Sequence, residues 1–297
     1  MFVPKNQNPL LAAALILIAT AFIAATTLFA KALGSSDLGQ PLHPLQISHG
    51  RFFFAFIFLL ASAGIFRPAL TRPYWPLHIA RTVCGWAGVT LMFASVAYIP
   101  LADATAISFL NPVFGMVLSI PLLGERVGRI RWAAATLALA GAMVLLRPTP
   151  AEFQIASLLA LGAAMIMGLE LIFIKKLAGR ESPFQVLLTN NFIGVIIATI
   201  AVIPFFQIPT LLQVGALALL GGAMAVAQAC FVNAMARADA SFVAPFSYGT
   251  LIFAALFDAA IYGQVPDYIT WIGAGIIVSG AVLLALREAQ LKQLDAQ

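Results

Sequence analysis

Charged side chains within long apolar stretches are the residues of this sequence whose chemistry is most informative. Arg81 and His78 lie three residues apart, so on a helix they share one face. A guanidinium can bind a carboxylate through two charge-assisted hydrogen bonds, and an isolated charge within hydrocarbon is costly. Arg81 therefore needs a partner, and two hypotheses stay open. It either pairs with Glu170 and joins two helices, or it binds the acid group of a substrate, while His78 also fits a structural imidazole.

Nine polar or aromatic residues are candidates for binding a substrate. Trp86 and Tyr98 would offer apolar walls with one polar edge. The amides of Gln228 and Asn233 suit a ligand, although they also suit hydrogen bonds between neighbouring helices. The full candidate set is His78, Arg81, Trp86, Tyr98, Asn111, Glu170, Gln228, Asn233 and Tyr248.

Two prolines are predicted hinges. Pro112 follows Asn111 near the middle of an apolar stretch, and Pro245 lies early in another. Proline removes a helical hydrogen bond and kinks a helix, which frees a carbonyl group for Asn111 or for a substrate.

Three further polar residues are expected to be structural. His49 and Arg51 are predicted to extend toward the lipid headgroups rather than to bind a ligand. Glu125 is predicted at the start of the helix that follows it, where a carboxylate suits the helix dipole. The two cysteines both lie in apolar stretches, so neither a disulfide framework nor a zinc site is expected.

The elements that position these residues follow from composition. Of 297 residues, 62% are apolar and 9% are charged, whereas an average soluble domain is about half apolar and about a quarter charged. These values exclude an ordinary soluble domain and a disordered chain. The sequence therefore predicts an all-α integral membrane protein.

Helices of about 20 apolar residues are long enough to cross a membrane. Ten such stretches are predicted, at 10–33, 44–66, 74–97, 102–123, 130–147, 152–174, 183–206, 210–236, 240–262 and 267–287. The first apolar run is longer than that of a secretory signal peptide and its leader carries a single lysine, so a retained helix is favoured over a cleaved signal.

The cations predict the orientation of these ten spans. Lys31 and Arg147 fall on one side, and Arg51 and Arg81 lie within spans. The other side receives Lys5, Arg67, Arg72, Arg126, Arg129, Arg131, Lys175, Lys176, Arg180, Arg237, Arg287 and Lys292. Because positive charge is retained in the cytoplasm, both termini are predicted to be cytoplasmic.

An internal repeat divides the chain into two halves. The segment Ile130–Trp132 corresponds to Ile269–Trp271, and Ala102–Thr105 corresponds to Ala238–Ser241. The predicted units are residues 10–147 and 152–287, each with five helices, followed by a cytoplasmic tail at 288–297. Five is odd, so the halves would enter the membrane from opposite sides, as in many secondary transporters. A duplication that merely enlarged a scaffold is the alternative.

Three segments carry a family resemblance: Leu101–Ile107, Phe109–Pro112 and Leu122–Arg126. With both repeats, they resemble the EamA type of the drug/metabolite transporter superfamily. The resemblance implies ten helices, cytoplasmic termini and a central cavity lined by helices 1, 3, 4, 6, 8 and 9. It also implies transport of amino acids, nucleosides, drugs or other small metabolites, often outward. Gln264 departs from the family pattern, which commonly has a glutamate there.

The predicted function is secondary transport of small organic solutes, such as amino acids or related metabolites leaving the cell. Alternating access in the bacterial inner membrane is expected, with membrane lipid and a small-molecule substrate as partners. A monomer is expected, with no nucleic acid, cofactor or metal. A channel-like facilitator and an intramembrane enzyme are the alternatives. The enzyme is disfavoured because the sequence has neither a His-Glu-x-x-His nor a Gly-x-Ser-x-Gly motif.

Overall fold

The computed structural model describes residues 8–34, 36–96, 107–146, 155–263 and 267–294, and this part of the chain is helical and contains no β-strand. The α-helices are α1 (Pro9–Gly34), α2 (Pro44–Phe66), α3 (Trp75–Val96), α4 (Asn111–Leu123), α5 (Arg129–Leu146), α6 (Ile155–Ala178), α7 (Pro183–Val202), α8 (Leu211–Arg237), α9 (Ala240–Val243), α10 (Gly249–Tyr262) and α11 (Tyr268–Leu294). Short 3-10 segments occupy Ser36–Leu38, Ile203–Phe205 and Ala244–Tyr248.

Six helical stretches among the described residues are long and apolar enough to cross a membrane. They are Pro9–Gly34, Pro44–Ile65, Leu158–Ala178, Pro183–Phe205, Leu211–Arg237 and Ala240–Ile261. Large apolar side chains also cover the outside of the bundle, and Ile208 and Leu211 are about nine-tenths exposed. Such a surface is stable against lipid and unfavourable against water. The chain is an integral membrane protein.

Equivalent helices of the two halves of the chain make equivalent main contacts. The helix α1 packs on α8 and α10, and α6 packs on α3 and α4. The remaining large contacts join α2 to α7, α2 to α8, and α5 to α11. The first helix of each half thus packs on the third and fourth helical spans of the other half. The second helices pair with each other, and so do the fifth.

Local sequence signals fix the ends of several helices. Ser182 accepts a hydrogen bond from the Gln185 backbone N–H and precedes Pro183, which opens α7. Thr210 and Gln213 form a reciprocal capping box at the start of α8. Both patterns supply partners for backbone N–H groups that a helix leaves unpaired at its first turn.

The span around Asn111 is interrupted rather than continuous. Residues 107–108 are helical, 109–110 form a turn, and α4 begins at Asn111, whereas residues 102–106 lie outside the described residues. Pro112 therefore occupies the first turn of α4, where its missing N–H would be unpaired in any case. The predicted kink in the middle of a continuous helix is wrong, but the Ser108 carbonyl, four residues before Pro112, does accept a 3.0 Å hydrogen bond from Asn111 Nδ2.

A second interruption lies in the other half, between α9 and α10. Pro245 is the second residue of the 3-10 segment Ala244–Tyr248 that joins them. The Tyr248 hydroxyl donates a 2.7 Å hydrogen bond to the Phe109 carbonyl, and the two rings stack with centroids 5.8 Å apart. The two interruptions therefore contact each other directly.

Close packing of α4 on α6 places the first interruption against the centre of the molecule. A Cβ atom added to Gly168 would lie 2.7 Å from Phe114 Cβ and 3.0 Å from the Asn111 carbonyl oxygen. Only glycine allows this approach.

Candidate functional site

A cavity of about 320 Å³ lies between the helices of the two halves. It is lined from α1, α2, α3, α4, α6, α7, α8, the 3-10 segment and α10. The polar or aromatic lining residues include Thr20, Arg51, Phe52, Arg81, Thr82, Trp86, Phe109, Asn111, Glu170, Asn190, Gln228, Phe231, Ser247 and Thr250. The six spans implied by the family resemblance all contribute, and the second and seventh spans contribute as well.

Arg81 is the most buried charged residue of the cavity wall. Its side chain is 3% exposed, and its Nε atom lies 3.8 Å from Glu170 Oε1. Its Nη1 donates a long hydrogen bond of 3.4 Å to the Val186 carbonyl of α7, while Nε has no hydrogen-bond partner among the described residues. The pairing with Glu170 is present, but it leaves the guanidinium incompletely bonded.

Glu170 is positioned by the backbone of α3. A Cβ atom added to Gly85 would lie 2.9 Å from both carboxylate oxygens of Glu170. The carboxylate thus lies flat against α3, one helical turn from Arg81. Glu170 interacts electrostatically with Arg51 as well as with Arg81, so one acid faces two cations.

Arg51 lines the cavity, and the prediction that it extends to the lipid headgroups is wrong. Its guanidinium carbon lies 4.2 Å from the centroid of the Phe52 ring. That ring is buried against Gly194, where an added Cβ would lie 2.3 Å from it. The depth of Arg51 in its helix could have indicated this position. Arg51 lies seven residues after the start of α2, and a side chain that faces inward at that depth cannot reach the membrane surface. By contrast, His49 lies outside the cavity lining, 3.1 Å from the Thr199 hydroxyl.

Uncharged polar residues complete the cavity wall. The Thr82 hydroxyl lies 3.0 Å from Asn190 Oδ1. The Gln228 side-chain oxygen accepts a 2.8 Å hydrogen bond from Asn191 Nδ2. That bond orients Gln228 from α7. Of the nine predicted substrate-binding candidates, the cavity brings together Arg81, Trp86, Asn111, Glu170 and Gln228, along with the predicted hinge residue Pro112.

Three predicted candidates lie outside the cavity lining because other groups bind them. Asn233 donates to the Ala229 carbonyl and accepts from Arg237, both within α8. Tyr248 is fully buried and bonded to Phe109. His78 is fully buried beside Glu181. The predicted hinge residue Pro245 is also absent from the lining, and Tyr98 lies outside the described residues.

The His78 ring joins a polar cluster outside the bundle centre, around the turn between α6 and α7. Its Nε2 lies 2.9 Å from Glu181 Oε2. Glu181 also accepts from the Tyr74 backbone N–H at 2.7 Å and from Gln185 Nε2 at 2.6 Å. Burial favours the protonated acid, but the hydrogen bonds from Tyr74, His78 and Gln185 outweigh it and hold the pKa of Glu181 below its usual value.

A second cluster of charges joins the two halves at the ends of α4, α6 and α8. Its members, which we call the Glu125 cluster, are Glu125, Arg131, Lys175, Asp239 and Ser241. The Glu125 carboxylate accepts from the backbone N–H groups of Ala240 at 2.9 Å and Ser241 at 3.0 Å. Glu125 therefore caps α9 of the other half, and the prediction that it lies at the start of the next helix is wrong.

One cation of the Glu125 cluster, Arg131, bonds across the halves, whereas Lys175 bonds within the second half. Arg131 Nη1 lies 2.9 Å from Asp239 Oδ2 and 2.8 Å from the Ser241 hydroxyl. Lys175 is buried and donates to the carbonyls of Met235, at 2.8 Å, and Ala238. No sequence motif connects these residues, since helix packing alone brings them together, within the second half for Lys175 and between the halves for Glu125 and Arg131.

The described residues contain no group of three His, Cys, Asp or Glu side chains that could hold a metal ion. The cavity instead combines two guanidinium groups and one carboxylate with hydroxyls, amides and apolar walls. This combination suits reversible binding of a small polar molecule.

Two comparisons of the sequence bear on the role of this cavity. Residues 10–147 and 154–286 each match the EamA-like transporter family. The chain is 31% identical to a riboflavin transporter of Vibrio cholerae serotype O1, over 78% of each protein.

Two more relatives are named for other solutes. An S-adenosylmethionine uptake transporter of Rickettsia bellii is 27% identical, over 86% of this chain and 88% of that protein. A pseudopaline exporter of Pseudomonas aeruginosa is 27% identical, over 76% of this chain and 80% of that protein.

Proposed function

The chain belongs to the EamA-like transporter family, and we propose that it carries a small organic solute through the cavity by alternating access. It is a small-solute transporter and not an enzyme. The observation that carries the proposal is the position of the cavity, whose charged residues come from both matched repeats. A site between two repeats is exposed to either side when the repeats rock against each other.

The proposed architecture is ten membrane-spanning helices in two inverted five-helix repeats, residues 10–147 and 152–287. Two features support it. The packing of each first helix on the third and fourth spans of the other half is repeated when the halves are exchanged. The fourth predicted span of each half is also interrupted at a proline, by Pro112 and by Pro245, and paired broken helices are typical of inverted-repeat transporters.

The proposed location is the bacterial inner membrane, with both termini and the tail at 288–297 in the cytoplasm. The distribution of cations supports this orientation. Reporter fusions to each terminus test it: reporters that are active only in the cytoplasm should be active at both ends. An N-terminus outside the cell would contradict the helix number and the inverted repeat together.

The proposed solutes are amino acids or related metabolites, and the proposed direction is export. Arg81 in the cavity wall supports recognition of an acid group. Relatives are named both for uptake, of S-adenosylmethionine, and for export, of pseudopaline. Export is the direction that the latter relative supports.

Purified protein in liposomes tests the mechanism. Labelled amino acids, nucleosides and riboflavin would be assayed with and without a pH gradient, against protein-free liposomes as the control. Saturable flux with counterflow is expected for a carrier. Flux that does not saturate and shows no counterflow would indicate a channel, and formation of a new product would indicate an enzyme.

A further inference from the structure

The two cavity arginines have more hydrogen-bond donors than the described part of the chain offers acceptors for them. Each guanidinium carries five N–H groups. Arg81 has one long hydrogen bond, an unpartnered Nε and a carboxylate oxygen at 3.8 Å. Arg51 stacks on Phe52 and forms no hydrogen bond or ion pair within the part of the chain that the structure describes. Buried donors without acceptors are costly, so this wall favours a ligand that brings acceptors.

The charges of the cavity favour an anion for the same reason. Arg51 and Arg81 contribute two positive charges, and Glu170 contributes one negative charge when ionised. One positive charge is therefore left uncompensated in a wall that is largely apolar. A bound group with a single negative charge brings the total to zero, whereas a cationic solute raises it to two.

We propose that the transported solute carries a carboxylate that binds at Arg51 and Arg81 in place of Glu170. This inference rests on the transport function proposed above and names the substrate class. A carboxylate supplies two acceptor oxygens in the geometry that a guanidinium binds best. A doubly charged phosphate ester would overcompensate the cavity and leave a net negative charge.

The rest of the solute includes an apolar group of modest size, beside the hydroxyl and amide groups that also line the cavity. The cavity holds about 320 Å³, and its other lining side chains include Ile16, Val89, Met167 and Phe231. These residues bury hydrocarbon or an aromatic ring without offering a polar partner.

The geometry gives Glu170 a specific role as a competitor. In the structure it occupies the place of an acid group beside Arg81, so the solute must displace it. Removing its charge in Glu170→Gln should tighten binding of a carboxylate by about 10-fold, because the competing anion is lost. If Glu170 instead held a cationic group of the solute, the same variant would weaken binding.

Thermal unfolding of the purified protein in detergent tests the proposal directly. The probes are phenylacetate and isovalerate, their primary amides, the corresponding amines, and phenyl phosphate. The variants are Arg51→Gln, Arg51→Lys and Glu170→Gln, with Arg72→Gln as the matched control, because Arg72 is an exposed arginine outside the cavity. The unfolding midpoint without ligand shows whether each variant is folded.

The carboxylates are expected to stabilise the protein while their amides and amines do not. Arg51→Gln should weaken carboxylate binding by roughly 10- to 100-fold, Arg51→Lys should be intermediate, and Arg72→Gln should match the unmodified protein. If every carboxylate fails to stabilise, if the amides or phenyl phosphate bind as well, or if Glu170→Gln weakens binding, the inference is wrong.

Transport assays distinguish a wrong carboxylate assignment from a wrong transport function. If neutral or cationic solutes show counterflow in liposomes while carboxylates do not, the protein is a carrier and only the carboxylate assignment fails. If no solute shows saturable flux, the transport proposal itself fails.

Discussion

The cavity and the Glu125 cluster both place charges where the two repeats meet, but they satisfy those charges to different degrees. In the cluster, both oxygens of Glu125 accept backbone hydrogen bonds of 2.9 and 3.0 Å, and Arg131 bonds to Asp239 at 2.9 Å. In the cavity, Arg81 and Glu170 remain 3.8 Å apart. The charged groups of the cluster are bonded at short distances. The cavity arginines have fewer hydrogen-bond acceptors among the described residues than they have donors.

This difference separates two uses of charge within a membrane protein. Complete bonding of a charge stabilises one arrangement of the helices, since every change of partner costs hydrogen bonds. Incomplete bonding leaves binding energy for a molecule from outside. We therefore expect variants of the Glu125 cluster to change stability and variants of the cavity to change transport.

The largest expected effect is the loss of stability in Glu125→Ala. Two charge-assisted hydrogen bonds to the start of α9 disappear, which should lower the free energy of unfolding by about 3 kcal/mol. Glu125→Gln keeps one acceptor oxygen and should lose less. Thermal unfolding in detergent measures both, with Arg126→Ala as an exposed neighbouring control. An unchanged unfolding midpoint in Glu125→Ala would show that the Glu125 cluster does not stabilise the fold.

The next effect is on transport, in Arg81→Lys. Lysine keeps the charge but loses the planar fork, so kcat/KM should fall by roughly 10- to 100-fold while the unfolding midpoint changes little. The pair Arg81→Ala and Glu170→Ala then separates the two roles of Arg81. If the double variant regains the transport that Arg81→Ala alone loses, the pair is structural and the cavity resembles the cluster.

A smaller effect on stability is expected from the Arg131–Asp239 ion pair. It is partly exposed, so a double-mutant cycle with Arg131→Gln and Asp239→Asn should give a coupling energy of about 1 kcal/mol. The same cycle on Arg81 and Glu170 is expected to give a smaller coupling for stability. Equal coupling energies in the two cycles would mean that the longer distance between Arg81 and Glu170 does not weaken their interaction relative to Arg131 and Asp239.

A still smaller effect concerns Pro112, which lies in the first turn of α4 at the cavity wall. Replacing it with alanine allows the turn at 109–110 to continue into helix, so we expect the transport rate to fall by roughly 3-fold with little change in stability. Rates of solute flux in liposomes measure this. A normal rate in a stably folded Pro112→Ala variant would exclude a hinge at this position.

The smallest effect is a pH dependence of stability from Glu181. Its folded-state pKa is lowered, so its stabilising contribution is complete above the ordinary value of 4.5 and is lost as the pH falls through the folded-state pKa. The unfolding midpoint should decline in acid, and Glu181→Gln should flatten that decline. An equally steep decline in the variant would assign the acid sensitivity to other carboxyl groups.

Much of the fold could be predicted because membrane helices are marked by local sequence. The predicted span 44–66 matches α2, and the span 183–206 begins with α7 at Pro183. Apolar length and proline at a first turn are sufficient signals for such boundaries. A hinge was also predicted at Pro245 from the proline itself, but the 3-10 form of that segment was not, because the apolar stretch around it is continuous in sequence.

The site was harder to predict because side-chain direction depends on neighbouring helices. Compatible depths made Glu170 one of two partners predicted for Arg81, the other being a substrate acid group, and the two side chains do lie together. Arg51 was assigned to the membrane surface because nothing local shows that Phe52 packs on Gly194 and turns the guanidinium inward. Glu125 was paired with the adjacent helix because its actual partners lie 115 and 116 residues further along the chain.

That separation also has a consequence for biosynthesis. A ribosome adding roughly 5–20 residues per second reaches Ala240 about 6–23 s after Glu125, since 115 residues separate the two. During this interval the Glu125 carboxylate has no α9 to cap, and the nascent first repeat waits in the membrane with that acid hydrated or held by another group. The bond therefore forms only after the second repeat has been made as far as α9.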